Sequence, residues 1–182
     1  MAEEKPGVAN EWFYGVGDDL DPTIDDIHSQ QGEDCVVWKR LALHMCCRYR
    51  APVGLVEVLL EAFPQAVTSP DPNCGSLPIH LACAHKSSFR VIKLLLLHAP
   101  TTTKAVDMHG RLPLHYAVTA KAHFAIIELL LEADPTSALA VDADKKTPLH
   151  LAEEAYGNKN AVVTLLSVVT SVLQKGADTV IF

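Results

Sequence analysis

The chain has 182 residues, 49% of them hydrophobic and 20% charged, a mixture that can bury a core and excludes wholesale disorder. Its length suits one domain or a short repeat array. The formal net charge of -7 argues against general nucleic-acid binding, which needs clustered Lys and Arg to neutralise phosphates.

The charge is uneven along the chain. Residues 1–34 hold ten acids and one base, Lys5, so the remainder is nearly neutral. This composition predicts an acidic, solvated and flexible segment over residues 1–33. Trp12, Phe13 and Tyr14 interrupt it, and adjacent aromatics in a polar tail allow a second reading, a docking segment. The acidic start lacks the apolar stretch of a secretory signal, so none is expected. The longest apolar stretch, residues 161–173, is broken by Thr164, Ser167, Thr170 and Ser171. It falls short of the roughly 20 residues that span a bilayer, so no membrane insertion is expected. Five cysteines, at 35, 46, 47, 74 and 83, are odd in number and irregularly spaced. They read as reduced thiols of an intracellular protein, cytoplasmic or nuclear.

From residue 34 onward the chain repeats. Leu41-Ala42-Leu43-His44, Leu77-Pro78-Ile79-His80, Leu112-Pro113-Leu114-His115 and Thr147-Pro148-Leu149-His150 fall at steps of 36, 35 and 35 residues. Leucine pairs at 59–60, 95–96, 130–131 and 165–166 move in step with them. So do Pro64, Pro100 and Pro135. Three markers on one period define four units, about 34–72, 73–107, 108–142 and 143–176, followed by a tail at 177–182.

Each unit reads as two helices and a turn. In the third, Asp107-Met108-His109-Gly110 is a turn signal, and Gly110 can adopt positive φ. Pro113 fits a first helical turn, where its missing N–H has no partner to lose. Leu114, Ala117 and Val118 follow at helical spacing. Phe124, Ile127, Leu130 and Leu131 then form a second apolar stripe, and Pro135 blocks its continuation. Helices this short bury their apolar faces only by stacking on neighbouring units.

These motifs resemble the ankyrin repeat over residues 35–176. Thr147-Pro148-Leu149-His150-Leu151-Ala152 carries the Thr-Pro-Leu-His-x-Ala signature directly. The units beginning at Leu77 and Leu112 differ from it in the first residue. The resemblance implies an all-α solenoid of stacked antiparallel helix pairs with projecting turns. It also implies that His44, His80, His115 and His150 bond to backbone and tie the units together. In the family the signature Thr hydroxyl pairs with that histidine, and here Thr147–His150 alone can do so, since Leu41, Leu77 and Leu112 replace it. Pro64, Pro100 and Pro135 stand where the family usually has Gly.

The end units are atypical. The first has Ala42 in place of the signature Pro, so its first helix is expected to begin near Cys35, with Asp34 as N-cap. The last has Thr170 in place of the terminating Pro, so its second helix is expected to run to Lys175 and stop at Gly176. The stripe Val162, Leu165, Leu166, Val169 and Leu173 exceeds what a lone end unit needs. Packing of residues 179–182 against it is the favoured explanation; a further segment or a docking surface are the others.

No catalytic signature is present: no GxGxxG, phosphate-binding Gly-Lys-Ser/Thr loop, GxSxG or HExxH. No enzymatic activity and no cofactor are therefore expected. Asp142/Asp144 and Glu153/Glu154 are read as solvated acids. The recurring histidines lie about 10 Å apart across stacked helices, too far to share a zinc ion. His80, Cys83 and His85 cluster locally but lack the further ligands of a closed site.

Ankyrin domains bind other proteins along the concave face of turns and first helices. By alignment, that face should expose Arg40, Arg48 and Tyr49 in the first unit, and Ser76, Ala84 and His85 in the second. The third unit offers Met108, His109, Arg111, Thr119 and Ala120, and the fourth Asp144, Lys146, Glu153 and Glu154. Tyr49, Arg48 and Arg111 are the expected hot spots. The expected function is a monomeric binding adaptor for another protein, with Arg48→Glu/Arg111→Glu weakening binding at unchanged stability. A non-catalytic regulatory subunit or fragment of a larger enzyme is the alternative. The acidic leader folding over Arg40, Arg48 and Arg111 is an internal option. Each buried Leu or Ile contributes about 1.5–3 kcal/mol, so Leu130→Arg is expected to abolish the cooperative thermal melt; a retained melt contradicts the stacked-unit assignment.

Overall fold

The computed structural model describes residues 12–16 and 37–178. Among the described residues eight α-helices follow one another in pairs, and each pair lies within one of the units seen in the sequence. The first helices are α1 (Ala42–Arg48), α3 (Pro78–Ala84), α5 (Pro113–Thr119) and α7 (Pro148–Tyr156). The second helices are α2 (Val53–Ala62), α4 (Phe89–His98), α6 (Phe124–Ala133) and α8 (Ala161–Asp178). The fold is an all-α repeat stack.

Local chemistry explains the helix ends. Pro78, Pro113 and Pro148 open the later first helices, each preceded by an extended residue. The second helices of the first three units end at Ala62, His98 and Ala133, just before the recurring prolines. Pro64, Pro100 and Pro135 then start short 3-10 turns, Pro64–Thr68, Pro100–Lys104 and Pro135–Leu139. The proline both stops one helix and sets φ for the turn that carries the chain to the next unit.

Two end expectations are corrected. Residues 37–41 are not helical; Val37–Leu41 is a strand, β2, paired antiparallel with β1, Trp12–Val16, so that Trp12 faces Leu41 and Val16 faces Val37. The first helix begins at Ala42 instead of near Cys35. Val37 and Trp38 favour a pleated strand once a partner supplies the ladder bonds. At the other end α8 runs past Gly176 to Asp178. A Cβ on Gly176 would meet nothing within 4 Å, so no turn or close packing forces a stop there. Residues 179–182, expected to pack on α8, lie outside the described residues.

The core is a continuous stack. α1 packs on α3, α3 on α5 and α5 on α7, while α2, α4, α6 and α8 contact one another in the same order. Leu60, Ile92, Leu95, Ile127, Leu130 and Leu166 are fully buried. Cys47, Cys83 and Val118 occupy one repeat position and are wholly buried between first helices, where a small side chain permits close approach. The fourth unit has Glu153 at that position, exposed, as expected of an end unit with a polar outer face. On α8, Val162, Leu166 and Thr170 are buried, while Val168 and Val172 are exposed.

Two loop positions adopt left-handed backbone in a repeating way. Between the paired helices they are Arg50, Lys86 and Lys121, with φ of 56°, 56° and 55°. In the turns they are Gly75, Gly110 and Lys145, at 70°, 69° and 60°. Non-glycine residues cost roughly 1–2 kcal/mol there. At position 110 glycine is also a steric need, because an added Cβ would lie 3.2 Å from Ala143 N. The residue that lengthens the first step to 36 lies between Asp71 and Gly75, since Asp71 aligns with Asp107 at 36 and Gly75 with Gly110 at 35.

Cys46, Cys47, Cys74 and Cys83 are all free thiols. Burial pushes the Cys83 thiol up to about 12, and burial together with the neighbouring Cys46 and Cys83 pushes Cys47 higher still. Both are therefore expected to resist a maleimide in the native protein and to label in urea, as read by peptide mass spectrometry. Native labelling as fast as at half-exposed Cys74 would contradict this packing.

Candidate protein-binding surface

Each of the three described turns between units is built around a buried carboxylate. Asp107 Oδ1 accepts the backbone N–H groups of His109 and Arg111, both at 2.9 Å. Asp142 Oδ1 does the same for Asp144 at 3.0 Å and Lys146 at 2.9 Å. Asp71 Oδ1 accepts from Asn73 N–H at 2.9 Å. An extended turn leaves such donors without a backbone partner, and a carboxylate two to four residues away satisfies them. Backbone bonds close the turn as well, from Asp107 N–H to Arg111 O and from Asp142 N–H to Lys146 O.

The turns are also bonded to one another. Met108 N–H donates to Cys74 O and Ala143 N–H to His109 O, each at 2.9 Å. The recurring histidines brace the same region from below. His44 Nε2 bonds to Ser76 O of the next unit at 3.1 Å, and His80 Nε2 to Ala105 O at 3.0 Å, in the segment that leads into the next turn. On the other ring nitrogen, Leu77 N–H donates to His80 Nδ1 and Leu112 N–H to His115 Nδ1. This explains how Leu can replace the signature Thr: the backbone N–H already holds the ring. His115 Nε2 closes no hydrogen bond. His150, in the fourth unit, lies exposed, held by Thr147 N–H at 3.2 Å and Thr147 Oγ1 at 3.1 Å.

Asp142 was expected to be solvated, and the structure corrects this. Its side chain is 0% exposed and takes the Arg111 guanidinium at 3.3 Å, while Arg111 also reaches Asp144 at 3.4 Å. Burial opposes the charge on Asp142, but the Lys146 backbone N–H and the Arg111 side chain outweigh it and hold the carboxyl below its ordinary value. Arg111 is thus an inter-unit brace. Arg111→Glu would set like charges against two acids, so the expectation that it spares stability does not survive. In the fourth unit Lys146 pairs with Glu154 at 2.7 Å.

The remaining expected residues divide sharply. Tyr49, Met108, His109, Thr119 and Asp144 are exposed. Arg48, Ala84, His85 and Ala120 are half-buried. Ser76 is buried, contrary to expectation, because its backbone receives His44 and closes the turn with Asp71. Glu153 is exposed at the end of the stack, at the position that is interior in the other units. Arg40 lies in β2 opposite Phe13, and its side chain is outside the described part. His80 and Cys83 are buried and His85 half-buried. Among the described residues no three His, Cys, Asp or Glu side chains come together as a metal site.

One exposed feature went unread in the sequence. Pro70, Val106 and Val141 share a repeat position just before the turn aspartate, and all three are exposed. Val106 and Val141 are 59% and 56% exposed, and Met108 beside them is 65% exposed. Their common spacing was the available signal.

The repeats place the chain in a family. The family model for ankyrin repeats (3 copies) matches residues 43–138 and again 103–178, which together span most of the chain, and the protein belongs to the ankyrin-repeat family. No curated protein matches it. Ankyrin repeats mediate protein–protein interaction and are typically non-catalytic. No helix among the described residues is long and apolar enough to cross a membrane.

Burial lowers the pKa of His80 and His115 below the ordinary 6.5, against the opposing pull of nearby backbone carbonyls and acids. The fold therefore binds fewer protons at these rings than the unfolded chain does, and stability falls as pH drops below 6.5. Asp142 adds a second loss below its ordinary 3.8. Urea midpoints are expected to fall between pH 7.5 and pH 5; equal midpoints would contradict the burial of these neutral rings.

Proposed function

We propose that this protein is a non-catalytic, monomeric intracellular adaptor that binds another protein across its turns and first helices. One observation carries the reading. A column of apolar side chains, Pro70, Val106 and Val141 with Met108, stands in water on turns that are hydrogen-bonded from unit to unit. Apolar groups displayed on a braced surface favour association, because little ordering entropy remains to be lost on binding. Tyr49, 63% exposed at the end of α1, is the aromatic anchor nearest in character to a hot spot. The carboxylates and cations of the turns are mostly engaged within the stack, so recognition rests on shape and apolar contact more than on the charge of Arg111, Asp142 or Lys146.

The test is capture from native extract by the full chain and by Val106→Glu/Met108→Glu/Val141→Glu. All three sites are exposed, so stability should change by no more than about 0.5 kcal/mol each. A protein retained by wild type and lost by the variant, at matched melting temperature, is the expected result. The same proteins retained by both would refute this surface.

A further inference from the structure

The opposite ends of the first helices carry a second feature, independent of the turns. Arg50, Lys86 and Lys121 occupy one repeat position in the loops between the paired helices. All three are exposed and all three hold left-handed backbone. Glycine would sit there without strain, so a long cation at each place runs against local preference. The four loops, residues 49–52, 85–88, 120–123 and 157–160, contain no acid, and the fourth adds Lys159. Among the described residues none of the three cations forms an ion pair; Lys121 Nζ rests 5.9 Å from the centre of the Tyr156 ring of the next unit. In a chain whose net charge is -7, a whole edge has been kept positive.

We propose that this edge binds an acidic, extended segment of a partner protein, with one acid per unit. First helices stack in order, and loop-to-neighbour contacts such as Ser87 Oγ to Cys47 O at 3.0 Å align the loops. Packed helices lie about 10 Å apart, so the three cations are spaced by about 10 Å along the stack. A segment in the extended polyproline II conformation advances about 3.1 Å per residue with about three residues per turn, so acids at every third position lie on one face and match that spacing. Phosphates of a nucleic-acid strand are set more closely, and a net-negative protein repels a long polyanion. The loops also point away from the apolar column, so this site and the turn surface stand or fall separately.

The probe is a fluorescent seven-residue peptide with Asp at positions 1, 4 and 7 and Ser or Thr elsewhere. Binding to the full chain is measured by anisotropy at low salt, beside Arg50→Gly/Lys86→Gly/Lys121→Gly. That variant should melt no lower than wild type, since glycine relieves the left-handed strain, yet bind roughly tenfold or more weakly, as expected for three exposed ion pairs lost together. A peptide with the same three acids adjacent should bind more weakly than the spaced one. Equal affinity for the variant, or for the clustered peptide, would overturn the proposal. So would absence of peptide binding alongside cation-dependent binding to phosphatidylserine vesicles, which would assign the edge to a membrane surface.

Discussion

No unit of this chain can bury its own apolar face, and the rest of the structure follows from that constraint. A pair of short helices leaves Leu60, Leu95, Leu130 or their neighbours half in water unless another pair covers them. Stacking covers them, and it fixes which chemistry must recur. Small side chains are needed where first helices approach, and Cys47, Cys83 and Val118 supply them. In the fourth unit the same position holds Glu153, which stands exposed.

The same constraint shapes the surface used for binding. Turns that link stacked units leave backbone donors with no helix or sheet to receive them. Buried Asp71, Asp107 and Asp142 accept those donors, and Arg111 and the histidines tie one unit to the next. Charge is spent on building the turns, and the groups left to display are largely apolar: Val106, Met108 and Val141. The polar groups that look available in the sequence are therefore mostly structural. The apolar residues that look like ordinary turn filler are the ones in water.

Legibility in the sequence followed the same division. Helix pairs and family were readable because they depend on local rules: proline at a helix start, leucine at helical spacing, one period throughout. The role of Thr147 with His150 was readable for the same reason. What depends on another unit was not. Nothing within residues 142–146 says that Asp142 will be buried, because its cation, Arg111, comes from the turn one repeat earlier. The strand preference of Val37 and Trp38 does not settle a strand by itself, because the partner that supplies the ladder bonds, Trp12–Val16, is more than twenty residues away. Ser76 looked free because its burial comes from His44, 32 residues earlier. The left-handed cations at 50, 86 and 121 share the repeat period, but positive φ at a non-glycine residue is a tertiary outcome.

Native-state hydrogen exchange of the Met108 and Ala143 amides tests the central claim most directly. Both donate across turns to the preceding unit, to Cys74 O and His109 O. If stacking makes the turns one braced platform, these amides exchange slowly, with protection close to that of Leu95 and Leu130 in the core helices. Exchange at the rate of exposed loop amides would contradict it, and would mean that the units touch through their helices alone while the turns move independently.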